Sequence, residues 1–353
     1  MPTAARGGSA FPLACGGEDD RAGRFLARGE ILNCTAMNAI FSRPVSLPGL
    51  RMQALEAGPA QGPLVLLLHG FPELSESWRE VMGPLAAAGL RVVAPDLRGY
   101  GDTERPETGY DLDTLARDVV HLARHLSPGR PVHLVGHDWG GTIAFYVAAH
   151  HPEVVDRLAV VNAPHPALLV REMVKPAQML RSWYSFFFQL PWLPERLLSA
   201  GGGVLVSWML RRQMVDASRV PPGRLAEYEA HFSRPEAARP PITYYRELFR
   251  FLFTPGGRRR LLATPRARAP LMLIWGERDP ALGEAFTRGL EPYFEQRPVV
   301  RLLPEEGHTL PLEAPDKVAS LLLEHFRAAR PTSDVEVVDV RAREQERELH
   351  PPA

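Results

Sequence analysis

The stretch LVGHDWGGT, Leu134–Thr142, runs from apolar residues through glycine into a segment of helical texture. That is the outline of the sharp strand-to-helix turn that exposes a catalytic serine in the pattern G-x-S-x-G. The middle residue here is Asp138, and no G-x-S-x-G occurs anywhere in the chain. An aspartate after a strand often serves only as a helix N-cap. Its meaning depends on what the flanking sequence builds around it.

Working outward, PLVLLLH (Pro63–His69), RVVAPDL (Arg91–Leu97), PVHLVGH (Pro131–His137) and RLAVVNA (Arg157–Ala163) are short apolar runs bounded by turns. Such runs read as strands buried on both faces. Between them, ESWREVMGPLAAAG (Glu76–Gly89) and DLDTLARDVVHLARHL (Asp111–Leu126) space their apolar residues as helices do. The alternation predicts an α/β domain, a mostly parallel sheet flanked by helices. After Pro164 the strand signal stops, and residues 165–250 carry aromatics, prolines and helical spacing. It returns in PLMLIWGE (Pro270–Glu277) and PVVRLLPE (Pro298–Glu305), followed by a closing helix over Asp316–Ala329. The expected layout is an N-terminal extension, partly ordered, at 1–44, core at 45–164, an inserted helical cap at 165–250, core again at 251–330, and a polar tail at 331–353. The cap would lie over the C-terminal edge of the sheet, where ligands bind in such folds. Gly201–Gly203 lacks the Lys-Ser/Thr of a phosphate loop and reads as a break in the cap; Arg258–Arg260 reads as a surface loop.

Composition narrows the function classes. The chain has 353 residues, 45% hydrophobic, with 41 basic and 41 acidic side chains. No global basic field points to nucleic acid. Cys15 and Cys34 are the only cysteines, which rules out a disulfide scaffold and favours a reducing, cytoplasmic setting. No apolar stretch reaches the roughly 18 residues of a membrane span, and residues 1–30 lack a secretory pattern. The aromatic run SWYSFFFQLPWLP, Ser182–Pro194, is short and proline-broken, and reads as lid lining in preference to a membrane contact.

The case for chemistry at Asp138 rests on other strand ends. Asp279 follows one late strand and His308 the next, so nucleophile, acid and histidine appear in the order of the α/β-hydrolase triad. HGFP, His69–Pro72, follows an early strand where that fold supplies an oxyanion N–H. Phe71 and Trp139 are the two expected oxyanion donors. Aspartate differs from serine in what it can undo. Attack by serine on an sp³ carbon leaves an ether, whereas attack by a carboxylate leaves an ester. Water activated by His308, oriented by Asp279, can hydrolyse that ester at the Asp138 carboxyl carbon. Epoxides and alkyl halides both fit.

Five motifs carry a resemblance: HGFP, DLRGYGDT (Asp96–Thr103), GHDWGG (Gly136–Gly141), NAPHP (Asn162–Pro166) and YYRELF (Tyr244–Phe249). Together they resemble the epoxide hydrolases of the α/β-hydrolase fold, over roughly Val45–Arg330. The resemblance implies two lid tyrosines that protonate the epoxide oxygen. Tyr245 matches the second, with Tyr244 one residue away. Tyr184 is the candidate for the first, with Phe187 one turn further on. Substrate contacts are expected at His69, Pro72, Trp139, Tyr244, Phe187 and Trp183. Thr309 departs from the family, which usually has a bulky aromatic after the histidine. The expected reaction takes a small apolar epoxide and water to a diol, with no cofactor and no metal; a homodimer is left open. Two alternatives stand. A haloalkane dehalogenase would pair Trp139 with Trp183, Trp192 or Trp208 to hold a halide. A non-catalytic member of the fold would bind an apolar ligand only.

Overall fold

The computed structural model describes residues 39–328. The tail at 331–353, most of the expected N-terminal extension and both cysteines lie outside the described residues. Eight strands form one sheet: β1 (Phe41–Leu47), β2 (Leu50–Ala57), β3 (Leu64–Leu68), β4 (Arg91–Pro95), β5 (Val132–His137), β6 (Val155–Val161), β7 (Leu271–Gly276) and β8 (Val299–Leu303). Their spatial order is β1-β2-β4-β3-β5-β6-β7-β8. β1 pairs antiparallel with β2, and β2 antiparallel with β4; every other pairing is parallel.

β3 is buried at all five positions, as its unbroken LVLLL implies. Alternate residues of the central strands enter opposite cores, because side chains on a strand point to opposite faces in turn. Leu64, Leu66 and Leu68 pack with the helices Leu112–Leu126 and Trp139–His150. Val65 and Leu67 pack with the helices Arg79–Ala87 and Pro315–Arg327. Each such buried side chain contributes about 1.5–3 kcal/mol relative to exposure. The helix Leu112–Leu126 shows how the sequence starts and aims these elements. The Asp111 carboxylate accepts from the Thr114 N–H at 3.0 Å, capping the first turn. Leu112, Leu115, Val119 and Leu122 then fall on one buried face.

Two boundaries differ from expectation. β1 begins at Phe41, inside the stretch read as an extension. It is an edge strand that buries only Val45 and Leu47, so it lacks the continuous apolar run that marks its neighbours. Cap helices run from Pro166 to Leu262, beyond 250, and the next core strand starts only at Leu271. Arg258–Arg260 belongs to the helix Pro255–Leu262 and is no loop. Gly201–Gly203 does interrupt the cap, with φ of 60°, 75° and 81° between the helices Leu193–Ser199 and Val204–Gln213. Among the described residues no helix is long and apolar enough to cross a membrane.

Candidate active site

The C-terminal ends of β3, β5, β6, β7 and β8 deliver Phe71, Asp138, Asn162, Asp279 and His308 to one edge of the sheet. Asp138 sits at φ 48°, ψ −115°, a sparsely populated backbone state held by its surroundings. Two glycines make the turn sterically possible. A Cβ on Gly136 would stand 2.2 Å from the Gly140 carbonyl oxygen, and one on Gly140 would stand 2.3 Å from that of Leu68. The elbow thus presses Asp138 against the HGFP loop, where a Cβ on Gly70 would stand 2.6 Å from the Asp138 Cβ. There the Phe71 N–H donates to Asp138 Oδ2 at 2.8 Å.

His308 is buried, with Nδ1 at 2.6 Å from Asp279 Oδ2. Three further donors saturate that carboxylate: the Ala281 and Leu282 N–H groups at 2.7 and 2.8 Å on Oδ1, and Asn162 Nδ2 at 2.7 Å on Oδ2. Burial raises the Asp279 carboxyl, but the His308 charge and these hydrogen bonds outweigh it and hold it below the usual range. For His308, burial works downward. The Asp279 charge and hydrogen bond, helped by Asp138 and Glu73, override it and raise the imidazole to about 9.

Asn162 opens the NAPHP motif, whose sequence alone assigns it no role. It stands at φ 38° after β6, and its Oδ1 accepts from the Gly276 N–H at 2.9 Å while its Nδ2 holds Asp279. It ties the end of β6 to the acid of β7. A second unforeseen pair lies behind the site. Glu73 and His137 are wholly buried, with Glu73 Oε2 2.9 Å from His137 Nδ1. Oε2 also accepts from the Gly70 N–H at 3.1 Å, and His137 Nε2 donates to the His308 carbonyl at 2.9 Å. The pair links the HGFP loop to the His308 backbone. The cap closes this arrangement. The His308 N–H donates to the Gln213 carbonyl at 2.8 Å. Glu313 accepts from the Gly307 N–H on one oxygen and from the Val215 and Asp216 N–H groups on the other, at 2.8, 2.8 and 3.1 Å.

A cavity of about 50 Å³ adjoins Asp138, and Trp139, Tyr184, Tyr245, Leu169 and Leu248 are among its walls. The rings of Tyr184 and Tyr245 meet edge-on at 5.9 Å. Burial raises both phenols far above their ordinary value. The Asp138 charge adds to this in each, after that of Tyr184 in the case of Tyr245. A side-chain hydrogen bond from Tyr245 partly offsets it for Tyr184, as one from Trp139 does for Tyr245. Both phenols therefore keep their protons across the working pH range. Among the described residues no cluster of three or more His, Cys, Asp or Glu could hold a metal ion.

The remaining expected contacts lie elsewhere. Tyr244 points away from Asp138, and its hydroxyl donates to the Arg98 carbonyl at 2.8 Å from a wholly buried position. His69 is wholly buried, with Nδ1 donating to the Gly70 carbonyl at 2.9 Å and Nε2 accepting from the Leu97 N–H at 3.0 Å. Both ring nitrogens are used to shape the loop, so His69 has none left for substrate. Pro72 is buried within that loop and is not among the residues that line the Asp138 cavity. Trp183 and Phe187 line a separate apolar cavity of about 280 Å³ between the cap and the core turn Pro280–Ala281, which also shares Tyr184 as a wall. Phe188, unforeseen from sequence, packs against Phe71, Tyr184 and Tyr245 at 5.3, 5.8 and 5.0 Å between ring centres.

Residues 63–315 match the model of the alpha/beta hydrolase fold family. The chain is 35% identical over 281 residues to epoxide hydrolase 4 of Homo sapiens, covering 78% of this chain and 75% of that one. It is 34% identical over 279 residues to epoxide hydrolase 3 of Mus musculus, covering 78% and 73%. A crystal structure of Bacillus megaterium epoxide hydrolase in complex with an inhibitor superposes with a TM-score of 0.73 at 26% identity, over 81% of this chain and 100% of that one.

Proposed function

Since the chain belongs to the epoxide hydrolases of the α/β-hydrolase fold, we propose that it opens an epoxide to a vicinal diol through an ester on Asp138. The observation that carries this reading is the single cavity shared by Asp138, Tyr184 and Tyr245. The Phe71 hydrogen bond pins Oδ2 and leaves Oδ1 to attack one ring carbon. The C–O bond breaks, the ring oxygen takes a proton from a tyrosine, and the carbon is left esterified to Asp138. In the second half, His308 removes a proton from water, and the hydroxide adds to the Asp138 carboxyl carbon. The N–H groups of Phe71 and Trp139 would hold the tetrahedral oxyanion. Collapse breaks the acyl C–O bond, and the departing alkoxide takes the proton from His308 to complete the diol; Asp138, left as the carboxylic acid, loses its proton to solvent, and the tyrosinate takes one back.

The tyrosines favour epoxide over halide. A halide needs N–H donors and no acid, and the Trp139 side chain is already engaged with Tyr245. Tyr245→Phe and Tyr184→Phe are each expected to lower kcat/KM by about ten- to a hundred-fold, and the double variant by about 10³–10⁴. Diol formation from an aryl epoxide measures this. A double variant that keeps full diol formation, or a wild type that releases halide and leaves epoxides untouched, would overturn the reading.

Alkylation also retimes the base. In the free enzyme the Asp138 charge is one of the causes that raise His308 to about 9. Esterification removes that charge, so the His308 pKa falls at the moment neutral imidazole is needed. The ester-decay rate should rise with pH and level off below the pH at which free His308 titrates. Stopped-flow decay of the ester, set against an NMR titration of His308, checks this; coincident midpoints would sink it.

A further inference from the structure

Among the described residues, thirteen large apolar side chains stand exposed, and ten of them fall between Val174 and Val215 of the cap; the others are Phe41, Phe253 and Leu262. The distribution has a centre. Trp183, Leu197 and Trp208, exposed by 62%, 41% and 55%, all line the 280 Å³ cavity behind Tyr184 and so ring its opening. Val204 stands one helical turn before Trp208 and shares its face, also 55% exposed. Contiguous exposed apolar surface of this kind marks a contact site.

The charges around the opening say what it contacts. Arg181 and Arg212 are the charged side chains that line the cavity, and Arg196 and Arg211 lie on the helices that flank it, whereas the Lys175 charge is met by Glu172 at 2.7 Å. Arg246 pairs with Glu195 at 2.6 Å. Arg196 lies over the Trp192 ring at 5.8 Å, and Arg212 over the Trp208 ring at 6.0 Å. Tryptophan at headgroup depth, with arginine reaching anionic lipid, is the composition of a surface that seats in a bilayer interface. A second copy of the same face would bring like charge against like charge.

We propose that the cap docks on an anionic lipid bilayer with the ring of Trp183, Leu197 and Trp208 facing the lipid. Apolar epoxide then passes from the bilayer into the cavity behind Tyr184, a side chain that also walls the Asp138 cavity. Only the identity of the cargo rests on the epoxide reading; the docking does not.

The test floats the full chain with phosphatidylcholine vesicles, with and without phosphatidylglycerol, at low and high salt. Flotation is expected on the anionic vesicles, several-fold weaker at high salt, with blue-shifted tryptophan emission. Each basic side chain near an anionic surface strengthens binding roughly five-fold. Arg196→Glu combined with Trp192→Ser should therefore weaken flotation by at least about ten-fold. Neither residue lines the Asp138 cavity, so turnover of a small water-soluble epoxide stays unchanged, which also shows that the variant folds. Absence of flotation on the anionic vesicles overturns the proposal, as does flotation that the double variant leaves intact. A wild-type dimer that the double variant converts to monomer overturns it in favour of a contact between copies. Flotation needs no turnover, so a failure of docking and a failure of the epoxide reading are seen separately.

Discussion

Asp138→Ala is expected to lower kcat by about 10⁴- to 10⁶-fold, the scale seen when a covalent nucleophile is removed. What remains is the binding and polarisation supplied by the tyrosines and the oxyanion donors. The substitution also places alanine at φ 48°, so the comparison should include Asp138→Asn, which keeps the side-chain shape and tolerates that backbone region better. Both variants should lose turnover; near-ultraviolet circular dichroism verifies that the fold survives. The same residue makes an isotopic prediction. In a single turnover in 18O-water, the new oxygen enters the Asp138 carboxylate, because water attacks the acyl carbon. Label found in the diol of that single turnover would mean that water attacks the epoxide directly and that Asp138 is no nucleophile.

His308→Gln separates the two half-reactions. Alkylation does not need the imidazole, so a burst of one equivalent of epoxide consumed is expected. Hydrolysis needs it, and steady-state turnover should fall by about 10³–10⁴. Intact-protein mass spectrometry should then show a species heavier by one substrate, with the adduct on the peptide containing Asp138. A variant that shows no burst and no adduct would place His308 in the alkylation step and require a different mechanism.

The central sheet could be read from sequence because β3 and β7 are apolar throughout, and a strand buried on both faces leaves that trace. β1 left none, since its outer face is exposed and only two residues enter the core. The end of the cap was hidden for a different reason. Pro255-Gly256-Gly257 looks like a break, yet proline is well placed in a first helical turn, and Thr254 caps that helix by accepting from the Gly257 N–H. Triad order follows from strand ends alone. The lid does not, because neighbouring helical residues point about 100° apart. Tyr244 and Tyr245 are adjacent in sequence, but one is turned to the Arg98 carbonyl and the other to the Asp138 cavity. Tyr184 and Trp183 divide in the same way between the interior and the exposed opening. For His69, a motif could say where the ring sits but not that both nitrogens were spent on the backbone.

The Glu313 clamp bears on how caps can be recombined among relatives. Cap and core look like exchangeable modules, one inserted into the other. Yet the carbonyl that fixes the His308 backbone belongs to Gln213, and the carboxylate that gathers Val215, Asp216 and Gly307 belongs to the core. A transplanted cap that brings its own residues at 213–216 without a matching 307–313 would keep nucleophile and tyrosines intact and still misplace the base. The functional seam for grafting therefore runs through the His308 loop, well away from the point where the chain enters the cap.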